Sequence, residues 1–395
     1  MAVDSNNKIK SLLMKFLKKY SLGRWLIALA KISNTSWRVD QLENRPMHAE
    51  IPEHIYMMDI IENLICTHKN LIDDPMPIDE KIKKISKIFS EKECNPFMRN
   101  FIAELLKELV EKTIQRHYEV TSNDELKAIE QDGIVALNSL NLNDLQVSDI
   151  RRYFNDKLLY NSHVYAYSNK TGHKFDDIKK ISSIASYHLD DSINCPHLLK
   201  IATDPTVLGI VEEYLGCVPT IYSFNTWWYF PGYPQSGPQD FHRDIDDYKF
   251  LALFIYLTDV YGNENGGQHQ YIKRTHNESV IMPLLSNDRE LTSSLFHPKL
   301  KNNGYHYSNL YNKFFKEQIT DITGRAGSVF LADTYGFHKG VPPRKEDRLV
   351  CWIRYGYGEN IAYKNDMNYP VQIRNTKSIH SNELYFNYLT RLIVK

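Results

Sequence analysis

Cysteine is scarce in this chain and is never clustered. Cys66, Cys94, Cys195, Cys217 and Cys351 are odd in number and form no Cys-x-x-Cys pair. That argues against a thiolate zinc site and against a disulfide framework, and the expectation is buried free thiols in a reducing cytoplasm. Long apolar runs are missing as well, so no membrane-spanning helix is predicted. The opening MAVDSNNKIK lacks the basic-then-apolar order of a secretory signal. Neither sign of charge is in excess, with 48 Lys and Arg against 48 Asp and Glu. Such a balance gives no overall field toward DNA or RNA, and no nucleic-acid partner is expected. The sequence holds neither a GxxxxGK phosphate loop nor a GxGxxG fingerprint, which disfavours nucleotide hydrolysis and nicotinamide chemistry.

What is present is ordinary globular material rich in aromatic side chains, with 26 Tyr and 17 Phe among 395 residues. Residues 8–32 read as a basic amphipathic helix, with Ile9, Leu12, Leu13, Phe16, Leu17 and Tyr20 at helical spacing. Residues 1–31 carry seven basic side chains against one acid, Asp4. Such a helix would either contact an anionic membrane surface peripherally or pack on the body with its lysines in water. The expected location is thus cytoplasmic, with membrane association as the variant. Further helices are expected at 55–67, 79–90 and 97–118, which makes residues 1–120 a helical N-terminal region.

Character changes near residue 121. Helices are expected to start at the caps Thr121 to Asp124 and to cover 143–159 and 196–215, with a short strand Ile134–Leu137 between them. Beyond residue 220 the pattern alternates. Strands are expected at Thr220–Phe230, Phe250–Thr258, Gln268–Lys273, Ser279–Pro283, Ser328–Asp333 and Arg348–Tyr355. Many short strands separated by turn residues indicate a sandwich or jelly roll over 121–395. The polar stretch 284–325 reads as an insertion between core strands.

The chemistry-bearing residues lie within these strands. In Asp240-Phe241-His242-Arg243-Asp244, extended backbone would turn His242 and Asp244 to one side. His338, after the strand Ser328–Asp333, can add a second imidazole. Two histidines and a carboxylate on one face leave positions open on a non-haem iron. Arg348 follows ten residues later, and its guanidinium can grip a carboxylate in two-pronged fashion. Arg354 shares its face but stands about 20 Å further along a strand, so Arg348 is expected nearer the metal. A second His-x-Asp, His188-Leu189-Asp190, lacks a distal His in strand context and reads as structural. His269 reads as structural or surface. Asp246 and Asp247 read as a solvated turn or as acceptors behind the metal ligands.

Residues 125–360 resemble the phytanoyl-CoA dioxygenase family of Fe(II)/2-oxoglutarate oxygenases. The resembling segments are Gln131–Leu137, Pro196–Gly216, Tyr256–Asp259, Asn265–Gly267 with Thr275-His276, and Gly327–His338. Lys273-Arg274 and Val341-Pro342-Pro343 depart from the family pattern. The resemblance implies an α+β fold with a mainly β core, a double-stranded β-helix of the jelly-roll, cupin-like kind with flanking helices. It implies Fe(II) at His242, Asp244 and His338, with 2-oxoglutarate as co-substrate on Arg348 and a contact from Thr226. O2 and a small-molecule, sugar or lipid-linked substrate complete the reaction, a hydroxylation. Related halogenases replace the carboxylate, and Asp244 is present here. The competing class is a catalytically silent 2-oxoglutarate or iron-binding protein on the same scaffold.

Overall fold

The computed structural model describes residues 53–88, 96–119, 123–161, 171–234, 239–277, 280–281, 315–358 and 383–394. The basic segment 8–32 and residues 284–314 of the expected insertion lie outside the described residues. The chain divides into two compact units, residues 1–74 with 278–304, and residues 75–277 with 305–395. In the first, the described structure is chiefly one helix, α1 (Glu53–Ile72). Val280 and Ile281 are helical rather than extended, which corrects the strand expected there.

Its helices follow from local signals. Helices α2 (Ile78–Ile88) and α3 (Pro96–Thr113) precede α4 (Asn123–Asp132), which ends at Gly133. There φ is +80°, a conformation that suits glycine. Helix α5 (Asp144–Asn155) starts on a full capping box between Asn143 and Gln146. After α6 (Phe175–Ile178) and α7 (Leu189–Ile193), the single helix expected at 196–215 is two, α8 (Leu198–Ala202) and α9 (Pro205–Leu215). The break has a cause. Pro205 offers no N–H to continue α8, and the Asp204 carboxylate accepts from Thr206 N at 2.9 Å to start α9. Helix α10 (Glu383–Thr390) closes the described chain.

Among the described residues ten strands form two antiparallel sheets. They are β1 (Ile134–Ala136), β2 (Leu159–Asn161), β3 (Ile184–Tyr187), β4 (Thr220–Tyr229), β5 (Leu251–Tyr256), β6 (His269–Ile272), β7 (Ile319–Ile322), β8 (Val329–Ala332), β9 (His338–Gly340) and β10 (Arg348–Gly356). The larger sheet runs β1-β8-β5-β10-β4-β3-β2, the smaller β7-β6-β9. Strand β7 sits within the stretch 284–325 and pairs with β6, so the tail of that stretch is part of the smaller sheet. The apolar core draws on both sheets: Ile134, Tyr229, Tyr256, Phe330, Val350 and Trp352 from one, Tyr271 and the half-buried Ile322 from the other. On the outer face of the larger sheet, α7 and α10 pack on β4 and α4 on β1. Tyr355 there donates to Ala202 O of α8 at 2.8 Å.

Candidate metal centre

Strand pairing brings the two histidines face to face. His242 N donates to His338 O at 2.9 Å and His338 N returns a bond to His242 O at 3.0 Å. An antiparallel pair that exchanges both bonds puts its side chains on one side, and here the two ring centroids are 4.3 Å apart. Asp244 N donates to Thr334 O, which holds the next inward position of the same segment. The residue between them turns away. Arg243 donates to Thr275 O at 2.7 Å and lies over the rings of Tyr335 and Phe337.

The donor atoms converge. His242 Nε2 lies 3.6 Å from Asp244 Oδ1, and His338 Nε2 lies 3.6 Å from Asp244 Oδ2. Ligand atoms of all three residues fall within 4.8 Å of one another, the one such group among the described residues. Both imidazoles are fixed through their other nitrogen: His242 Nδ1 sits 2.8 Å from Asp240 O and His338 Nδ1 3.0 Å from Gly336 O. A carbonyl accepts only from an N–H, so each ring's Nε2 is left with its lone pair toward the cluster. Burial, with His242 adding to it, pushes the His338 imidazole down to about 4, so it is a neutral donor at pH 7. Burial works against the Asp244 carboxylate, yet Arg354 first, then His338 and His242, hold it well below the usual range. A divalent ion that takes two neutral imidazoles and one carboxylate fits this set.

Arg354 belongs to this cluster, which corrects the expectation from spacing. Its Nη2 donates to Asp244 Oδ2 at 2.9 Å, and its Nη1 lies 2.9 Å from Asp246 Oδ2. Distance along a strand does not measure distance to a site that lies across it. Arg348, Val350, Trp352 and Arg354 share the inward face of β10, and the His-x-Asp segment meets the Arg354 end. A bulge between Arg354 and Tyr355, where the register on β4 skips Tyr222, falls beside this contact. Asp246 is buried rather than solvated. Asp247 is buried too. It accepts from Tyr248 N, Tyr357 N and Gly358 N, and burial pushes its carboxyl up to about 7 against those bonds.

Arg348 lies at the other end of the same face. Its Nη1 donates to Gly267 O at 2.5 Å, its guanidinium sits 4.1 Å from the Tyr229 ring centroid, and its Nε has no hydrogen-bond partner among the described residues. Thr226 is not brought to this face. It pairs with Cys351 in register, and its neighbours Asn225 and Trp227 oppose the inward Trp352 and Val350. Alternation therefore turns Thr226 outward with Trp228, whose Nε1 donates to Tyr187 Oη. His188 caps α7, its Nδ1 accepting from Asp190 N at 3.2 Å, and plays the structural part expected of it.

No protein-family model and no curated protein matches the chain. HygX from Streptomyces hygroscopicus, solved with nickel and 2-oxoglutarate bound, aligns at 15% identity and TM-score 0.39, over 60% of this chain and 87% of its own. SnoN, a non-haem alpha-ketoglutarate-dependent epimerase from nogalamycin biosynthesis, aligns at 15% identity and TM-score 0.38, over 59% and 82%. AviO1 from Streptomyces viridochromogenes Tue57 aligns at 10% identity and TM-score 0.34, over 61% and 96%. HygX is also solved with iron, and SnoN with Fe3+, alpha ketoglutarate and nogalamycin RO. At these identities and TM-scores the likenesses carry no functional inference for this chain.

One buried residue of the site was missed by spacing. His269 of β6 is inward and buried, its ring stacked on that of His338 at 5.4 Å between centroids and 14° between planes. Burial, then His338 and Arg348, push its imidazole well below the ordinary value. The available signal was position two before the core residue Tyr271 in a short strand, with the less buried Gln270 between them. Among the described residues no helix is long and apolar enough to cross a membrane. Cys195, Cys217 and Cys351 are buried free thiols, whereas Cys66 is exposed.

Proposed function

We propose that the chain is an Fe(II)/2-oxoglutarate-dependent oxygenase that hydroxylates a small-molecule, sugar or lipid-linked substrate. The observation that carries this reading is the convergence of His242 Nε2, His338 Nε2 and the Asp244 carboxylate on one inward face. Two antiparallel sheets with a shared apolar core support a double-stranded β-helix as the scaffold. The residue resemblance to phytanoyl-CoA dioxygenase-like proteins supports the same class. When bound, Fe(II) with 2-oxoglutarate and O2 supplies oxidative decarboxylation to succinate and CO2 coupled to oxidation of a substrate C–H bond.

The chain's own residues bind and orient. His242, Asp244 and His338 would hold the metal as two neutral donors and one anion. Arg354 occupies one side of the Asp244 carboxylate, which leaves Oδ1 as the freer donor oxygen. Arg348 would take the carboxylate of the co-substrate farthest from the metal. Tyr229, Val350 and Trp352, with the half-buried Trp227, form the apolar packing on the face that carries the two arginines. A low-dielectric wall strengthens the arginine–carboxylate contact.

The test is anaerobic titration of the Fe(II)-loaded full chain with 2-oxoglutarate, followed by its visible charge-transfer absorption. His242→Ala and His338→Ala should lose Fe(II) binding with the fold retained. Arg348→Ala should weaken 2-oxoglutarate by about 100-fold or more while Fe(II) binding stays nearly intact, since breaking one side of a buried pair costs about 3–5 kcal/mol. Zinc held irreplaceably, with no turnover on Fe(II), would sink the reading. Succinate release stimulated by any member of a substrate panel excludes the silent binding protein.

A further inference from the structure

The inward face of the smaller sheet carries a row of polar groups between the two ends of the site. His269 stands opposite Gly340 in the β6–β9 register, and Tyr271 stands opposite His338. His338 and Gly340 are two apart on one strand, so they share a side and are separated by roughly 7 Å. The guanidinium of Arg348 fills the place that a side chain at Gly340 would take. A Cβ built there would meet Arg348 Nη2 at 3.1 Å. His269 is therefore level with Gly340 and the Arg348 guanidinium, and its ring reaches back to stack on that of His338. His269 is 6% exposed, packed by Phe254, Phe330 and His338, and its Nε2 has no hydrogen-bond partner among the described residues. A buried imidazole nitrogen left unpaired costs free energy unless something binds it. The unpartnered Nε of Arg348 lies at the same end of the site.

We propose that His269 is a contact for the dicarboxylate co-substrate, its Nε2–H donating to a carboxylate oxygen of 2-oxoglutarate alongside Arg348. This rests on the reading of the site as an iron/2-oxoglutarate centre. A dicarboxylate held by the metal ligands and by Arg348 would run along the side where His269 stands, since His269 is level with Gly340 and its ring stacks on that of His338. No hydrogen-bond acceptor among the described residues meets Nε2, and a carboxylate oxygen supplies one. The phenyl rings of Phe254 and Phe330 on the other sides leave the imidazole little freedom to turn elsewhere.

The experiment is the same anaerobic titration on full-length protein, with Fe(II) affinity measured separately for each variant. His269→Phe keeps the ring and removes the donor. It should weaken 2-oxoglutarate about 10- to 100-fold, the scale of a hydrogen bond to a charged group, and leave Fe(II) affinity unchanged. His269→Gln, whose amide nitrogen reaches the place of Nε2, should bind close to wild type, and the shorter His269→Asn should not. If His269→Phe does not fold, the Gln–Asn pair decides, and equal affinity in the two overturns the proposal. Unchanged 2-oxoglutarate affinity in His269→Phe, with wild type binding normally, overturns it alone. Absence of 2-oxoglutarate binding by wild type overturns the iron/2-oxoglutarate reading and this inference with it.

Discussion

His338 and Arg354 are the residues whose surroundings make the sharpest claims. The folded His338 titrates near 4, against about 6.5 in an unfolded chain. Between those values the unfolded state binds the extra proton, so stability of the metal-free protein rises with pH across that window and is lost as pH falls from about 6.5 to 4. The full effect is on the order of 3 kcal/mol. Urea unfolding of metal-free protein at pH 7 and pH 4.5 should show the loss, and His338→Asn should show distinctly less of it. Identical slopes would mean that the ring is not held neutral. Arg354 neutralises two carboxylates at once, at 2.9 Å each. Arg354→Ala leaves Asp244 and Asp246 facing each other with little water, at a cost of about 3 kcal/mol in metal-free protein. Arg354→Lys recovers only part, because an ammonium cannot fork between them. Wild-type stability in Arg354→Ala would show that the fork carries no weight.

At the scale of elements, two tight approaches position the site. The turn from α4 into β1 passes through Gly133 with φ at +80°, and a Cβ there would lie 2.2 Å from Tyr271 Oη and 2.4 Å from His276 Nδ1. Tyr271 in turn donates to Asp333 O at 2.8 Å, just ahead of the segment that presents His338. Gly133→Ala should therefore cost at least about 1–3 kcal/mol through backbone strain and collision, read as a lower melting temperature. A Tm equal to wild type would show that the turn relaxes freely. The second approach is β9 against β10. Gly340→Ala places a methyl 3.1 Å from Arg348 Nη2, so the guanidinium has to shift. The expected outcome is weaker 2-oxoglutarate binding with Fe(II) binding held. Loss of both together would indicate that β9 itself has moved.

At the scale of the molecule, the candidate centre lies entirely within the unit of residues 75–277 and 305–395. Deleting residues 1–32 should leave Fe(II) and 2-oxoglutarate affinity unchanged, measured by the same titration, because no converging residue is in that segment. A fall in either affinity would give the N-terminus a part in the centre. Comparing the two forms on anionic vesicles at low salt checks the membrane contact suggested by its seven basic side chains. Equal partitioning would remove that idea.

Residue order alone was enough to nominate His242, Asp244 and His338, because alternation on extended backbone and a distal histidine after an apolar strand are local patterns. It also placed most long strands, since β4, β5 and β10 each alternate or run apolar over six residues or more. Of the strands of three or four residues it placed β1, β6 and β8, which lie within apolar or aromatic runs bounded by turn residues, and it did not place β2, β3, β7 and β9, where so few residues hold too little period to read. The break between α8 and α9 needed the cap at Asp204 to be weighed against the apolar spacing that runs across it. Which arginine meets Asp244, which face Thr226 takes, and that His269 is buried beside His338 were decided by how the two sheets lie against each other. Strand position gives a residue's side, but the distance across a core depends on register and on the bulge at Arg354, and those are set by pairing between segments more than a hundred residues apart.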